Sequence, residues 1–181
     1  MGFKYQITDR EGIYFVTITV VDWIDVFTRR ELAEIVIDSL SYCQQNKGLI
    51  LYAWCLMPSH LHLIISEQQN QNLSDIIRDF KKHTSKQIVS EIAKINESRE
   101  WMLNRFKFLG SINPKIILAK FWRDGYHPIL LESNRFLEQK LNYIHENPVE
   151  SGLVTEPQYY NYSSAVNYAG GIGLLEVVFL E

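Results

Sequence analysis

The hydrophobic pattern alternates, turns helical and alternates again before residue 70. "GIYFVTITVVDW" (12–23) places Tyr14, Val16, Ile18 and Val20 on one face of a β-branched, aromatic run, which predicts a strand. "TRRELAEIVIDSLSYCQQN" (28–46) changes to helical spacing at Leu32, Ile35, Val36, Leu40 and Cys43, and Thr28 with Glu31 reads as a capping box. "GLILYAWCLMP" (48–58) and "HLHLIIS" (60–66) predict two strands joined by a tight turn at Pro58-Ser59. A long amphipathic helix follows over 71–94, with Leu73, Ile76, Ile77, Phe80, Ile88 and Ile92 as its stripe. Beyond it the pattern predicts a short helix over Trp101–Phe106, a break at 110–114, and one or two short strands around Gly125. A helix capped by Ser133 then runs to about Asn147-Pro148, and "LLEVVFL" (174–180) predicts a last strand.

The order β-α-β-β-α-β-α defines an α+β chain with a ferredoxin-like, split βαβ arrangement. It implies an antiparallel sheet with helices on one face, the other face open, and an appended C-terminal helix. In this topology the strand carrying "HLHL" is central. Side chains alternate along a strand, so His60 and His62 share one face while Leu61 and Leu63 point to the other.

That pair raises the question of chemistry. A His-x-His spacing alone is more often incidental than a metal site. The helix near the C-terminus adds Tyr143 and Asn147 at i and i+4, on one helical face. A His60/His62/Asn147 set suits Mg²⁺ or Mn²⁺ better than a four-ligand structural zinc. His145 falls on roughly the opposite side of the helix. Taken without the histidines, Tyr143 reads as a core tyrosine.

Charge changes the picture only locally. The net charge of −3 gives no general support for nucleic-acid binding, yet residues 76–123 hold 11 Lys/Arg against 4 Asp/Glu. Within them Arg78, Lys82 and Lys86 recur at i+4, next to Lys81, as a stripe able to follow a phosphate backbone; a solvated helix face explains the spacing equally well. Trp122, Arg123, Tyr126 and His127 are candidates to stack on or clamp an unpaired base, with core packing the better reading of Trp122. Cys43 and Cys55 have neither CxxC nor zinc spacing. The N-terminal residues lack the apolar core of a signal peptide, and no apolar stretch reaches the roughly 20 residues a membrane helix needs, so a cytoplasmic chain without a membrane partner is expected.

"CLMPSHLHLII", the Lys-rich "FKKHTSK", "FWRDGYHP" and "YIHENPVESGLV…YNYSSA" together resemble the REP-associated tyrosine transposases of the HUH single-tyrosine superfamily. The likeness spans nearly the whole chain, from the strand at 12–23 to the "SSA" at 163–165, and implies a single transposase-like domain over 1–181. It implies cleavage and rejoining of single-stranded or hairpin DNA through a 5′-phosphotyrosine. His60, His62 and Asn147 fall on the metal positions and Tyr143 on the nucleophile; Arg78, Lys81, Lys82, Lys86 and Arg123 are the expected DNA contacts. Single-tyrosine relatives include homodimers and monomers. The chain departs from the family at His127-Pro128, where many members carry an acidic residue. The competing expectation is a catalytically silent ferredoxin-like domain that binds single strands. Its mark would be loss of a ligand or of the tyrosine, and neither is lost.

Overall fold

The computed structural model describes residues 7, 9–94, 100–112 and 119–180. Among the described residues nine strands and α-helices follow in order: β1 (Tyr14–Thr19), α1 (Arg30–Lys47), β2 (Leu49–Met57), β3 (His60–Glu67), α2 (Leu73–Lys94), α3 (Glu100–Ser111), β4 (Ile129–Leu130), α4 (Asn134–Glu150) and α5 (Ala165–Tyr168). The strands form one antiparallel sheet in the order β2-β3-β1-β4, the ferredoxin-like order, with β3 central. Its register sets Thr19 opposite His60 and Thr17 opposite His62 on β1, and Met57 and Cys55 opposite the same pair on β2.

The two faces of β3 feed separate cores. Leu61, Leu63 and Ile65 join Val16 and Ile18 beneath α1 and α2, against Leu32, Val36, Leu40, Ile76, Ile77 and Phe80. Leu61 and Leu63 are fully buried, each contributing roughly 1.5–3 kcal/mol, and this anchors the strand that carries the histidines. The opposite face is not open as expected. Phe15, Ala53, Cys55, Met57 and Ile64 pack there against Ile144 of α4, with Leu137 and Leu141 alongside. The appended helix therefore lies across the sheet, on the face that presents the histidines.

Several boundaries depart from the sequence expectation for identifiable reasons. The N-cap of α1 is Arg29, which makes no side-chain cap bond, so the Thr28/Glu31 capping box does not form. The helix closes on Gly48 in the left-handed conformation (φ 71°), whose N–H reaches the Cys43 carbonyl. Gly110 lies inside α3 instead of breaking it; a Cβ there would sit 2.9 Å from the Ala119 Cα, so the glycine permits close approach. Residues 113–118, the end of that predicted break and the start of the next segment, lie outside the described residues. Around Gly125 the short strands expected take the form of two-residue β4 and an isolated Val20–Trp122 bridge. α4 is capped by the Ser133 hydroxyl, which accepts from the Phe136 N–H, as predicted, but continues through Pro148 to Glu150. Residues 174–180 form no strand, although the Val178 N–H bonds the Leu51 carbonyl at 2.9 Å and Leu175 is buried.

Candidate active site

His62 is held from one side and free on the other. Its Nδ1 lies 2.9 Å from the Thr17 hydroxyl across the β1–β3 pairing, and its Nε2 is buried with no hydrogen-bond partner among the described residues. A buried polar atom left unpaired costs about 1–3 kcal/mol, so the arrangement favours a ligand at Nε2. In the tautomer in which the hydroxyl accepts from Nδ1–H, the Nε2 lone pair is the one presented. Burial first, then the neighbouring His60 and Lys140, hold the imidazole down at about 3, so it is neutral at pH 7. His60 is also lowered, by burial, with Asp25 opposing. Its ring stands edge-on to His62 at 4.7 Å, and its Nδ1 lies 3.2 Å from the Ser59 hydroxyl.

α4 brings the tyrosine to this pair. The Tyr143 ring is 5.3 Å from His62 and 6.0 Å from Phe15, edge-on to both, and 42% exposed. Phe15 in turn stacks on His62 at 5.6 Å. Lys140, one turn earlier on α4, carries its ammonium 5.4 Å from the Tyr143 ring and 4.7 Å from the Phe15 ring. Asn147 is half-buried one turn after Tyr143. Cys55 is paired in register with His62, but burial pushes its thiol up to about 12 and keeps it protonated. The donors the pair itself offers are imidazole nitrogens, which suit a borderline divalent cation, and the Asn147 amide on the Tyr143 side of α4 is a chemically compatible hard donor.

Other sequence candidates are placed elsewhere. His145 points away from Tyr143, buried, with Nε2 2.9 Å from the Ser164 hydroxyl. Ser164 also accepts from the Trp54 N–H at 3.0 Å and faces the Trp54 carbonyl at 3.2 Å, so the "SSA" segment ties α4 to β2. Lys81 donates to the carbonyls of Arg123 and Gly125 at 2.8 and 2.6 Å, and burial lowers it to about 8. Arg78 pairs with Asp75 and Asp79. Lys82 and Lys86 are exposed on α2, in the layer behind the sheet from the histidines. Trp122 is buried and donates to the Thr84 hydroxyl at 2.9 Å, a core residue as expected. Tyr126 bonds the Ser74 hydroxyl at 3.0 Å. Arg123 alone of the five expected DNA contacts reaches the histidine end of the sheet: its backbone N–H bonds Thr19, the residue paired with His60.

The sequence pattern does not single out Thr17, Phe15, Lys140 or Trp23 as neighbours of the pair. Lys140 was accessible from helical spacing, three residues before Tyr143. Thr17 and Phe15 required the β1–β3 register, which no spacing within one strand supplies.

The structure thus sets a central-strand histidine pair beside a helical tyrosine on a ferredoxin-like sheet. The family described as "Transposase IS200 like" matches residues 14–147. The chain belongs to this IS200-like transposase family. It is 25% identical over 157 residues to a protein of Haemophilus influenzae named "Putative REP-associated tyrosine transposase", covering 84% of this chain and 79% of that one. Its fold is similar to a solved REP-associated tyrosine transposase bound to a REP hairpin, with a TM-score of 0.65 at 15% identity, covering 100% of this chain and 96% of the other. Among the described residues no helix is long and apolar enough to cross a membrane.

Proposed function

We propose that the protein cleaves and rejoins single-stranded, hairpin-forming DNA by transesterification at Tyr143, with a divalent ion, Mg²⁺ or Mn²⁺, as cofactor. The observation that carries this reading is the Tyr143 ring beside His62, whose buried Nε2 has no partner among the described residues. His60, His62 and Asn147 would hold the ion. When bound, it supplies charge stabilisation for the phosphate under attack and for the departing oxygen.

The protein's own groups account for the rest. The Tyr143 oxygen attacks the backbone phosphorus, the bond from phosphorus to the 3′-oxygen breaks, and the 5′-phosphate stays on the tyrosine. The phenol gives up its proton as it bonds to phosphorus, and the departing 3′-oxygen takes one up to become a free hydroxyl, so no net proton is gained or lost. Because the phosphodiester is exchanged and not hydrolysed, attack by a 3′-hydroxyl reverses the step without ATP. The phenol is exposed enough for a strand to reach it, while edge-on contacts with Phe15 and His62 support its ring on one side. Lys140 is in place to pair with the incoming phosphate.

End-labelling tests the polarity. Hairpin oligonucleotides taken from the DNA flanking the gene, incubated with Mn²⁺, should release 5′-labelled fragments ending in a free 3′-hydroxyl. The 3′-labelled fragments should migrate with the protein. Two free products, neither attached to protein, would replace this reading with simple hydrolysis. Binding without cleavage would leave a silent binding domain.

A further inference from the structure

The end of β1 carries a feature that the tyrosine and its ligands do not use. Asp22 and Trp23 both have left-handed backbones, at φ 55° and 56°. Such a conformation is disfavoured for any side chain and is an outlier for one as bulky as an indole. Neighbouring contacts hold it in place. The Val21 N–H bonds the Phe121 carbonyl at 2.9 Å, the Trp23 N–H bonds the Val20 carbonyl at 3.1 Å, and Asp22 pairs with Arg105 of α3 at 2.7 Å. Strain maintained this way is characteristic of functional surfaces.

The result is an indole in the open beside the candidate site. Trp23 is 54% exposed, whereas Trp54 and Trp122 are in the core. Its ring meets His60 edge-on at 5.2 Å, so it continues the aromatic row that runs through His60 and His62 to Tyr143. The exposed guanidinium of Arg123 lies 6.0 Å from the indole centroid. Asp22 is occupied by Arg105, so the carboxylate nearest in sequence is already paired. An open aromatic face with a cation beside it suits one nucleotide unit, its base on the ring and its phosphate at the guanidinium. Only an unpaired base offers that face.

We propose that Trp23 and Arg123 form a base-stacking subsite that seats an unpaired nucleobase adjoining the phosphate attacked by Tyr143. This rests on the single-strand cleavage reading above. Trp23 acts by positioning the strand and does not touch the reacting atoms.

The test uses the full chain carrying Tyr143→Phe, so that binding is read without cleavage. The probe is a hairpin from the DNA flanking the gene with a single-stranded tail, made intact and with an abasic site at each tail position in turn. In the Tyr143→Phe parent, one position should be special: its abasic version should bind roughly ten- to hundred-fold more weakly. Adding Trp23→Gly should cause the same loss on intact DNA and no further loss at that position, while Trp23→Phe should retain most of the affinity. Glycine suits a left-handed backbone, so Trp23→Gly should melt no lower than its parent. Equal binding by Trp23→Gly and its parent would overturn the subsite and leave the cleavage reading intact. A lowered melting temperature with an equal loss at every abasic position would assign Trp23 a structural role, which also overturns it. Failure of the parent to bind any such hairpin, with no adduct on the wild type, would overturn both.

Discussion

On His62 one nitrogen is engaged by Thr17 and the other is buried without a partner among the described residues, and the two are separable by mutation. Thr17→Val keeps the shape of the β1 side chain and removes the hydroxyl that orients the ring. We expect about 10- to 100-fold weaker Mn²⁺ binding, the usual cost of losing the group that fixes a ligating histidine. The metal-free protein should lose only about 1–2 kcal/mol. Titration followed by melting temperature checks this: Mn²⁺ should raise the wild-type transition, raise that of Thr17→Val only at higher concentration, and leave His60→Ala unmoved. Identical titrations of wild type and Thr17→Val would show that the hydroxyl does not orient the ligand. The shared face of His60 and His62 was legible in sequence because a strand has period two. Thr17 was not, because its place opposite His62 depends on the pairing of strands 45 residues apart.

At the scale of elements, α4 does two jobs on opposite sides. One side presents Lys140 and Tyr143 to the site; the other buries His145 against Ser164. Burial lowers His145 to about 4, whereas an imidazole in the unfolded chain titrates near its ordinary 6.5. The unfolded chain takes up this proton first as pH falls. Stability is therefore fully present above about pH 6.5 and is lost progressively down to about pH 4, by up to about 3 kcal/mol for this group. His62, lowered to about 3, acts in the same direction. His145→Gln keeps an amide for Ser164 and does not titrate. Its unfolding free energy, measured by denaturant between pH 7 and 4, should fall less steeply than the wild type's. Equal slopes would mean that His145 is not held neutral by the fold. The helix itself was legible from its Ser133 cap and apolar spacing. Its end was misjudged because Asn147-Pro148 is a stop signal by composition. Proline in the last turn removes only one backbone donor, and the N–H groups of Ser151, Gly152 and Leu153 close the end on Asn147, Val149 and Pro148. The predicted final strand failed for a different reason: an apolar run at 174–180 packs by burying Leu175 and bonding once to β2, without a ladder.

The whole molecule separates support from chemistry by the two faces of one sheet. α1 and α2 cover the first face and form the larger core, while α4 crosses the second and delivers the tyrosine to the histidines. The ferredoxin-like order and central position of β3 followed from the alternation of element types, which constrains topology strongly in so short a chain. The side of the sheet taken by α4 did not follow, since no pattern within the helix says which face it will cover. Charge is distributed by the same division. The net −3 chain keeps Lys82 and Lys86 on the α2 layer, and sets Lys140 and Arg123 at the histidine end. Tyr143 can be tested at this scale without knowing the target sequence in advance. Wild type and Tyr143→Phe are incubated with Mn²⁺ and the flanking-DNA hairpins, digested, and the peptide spanning residue 143 is examined by mass spectrometry. The account predicts a 5′-phosphodeoxynucleotide on Tyr143 in the wild type and none anywhere in Tyr143→Phe, with hairpin binding retained. A DNA adduct that persists in Tyr143→Phe, or one mapped to another residue of the wild type, would contradict it.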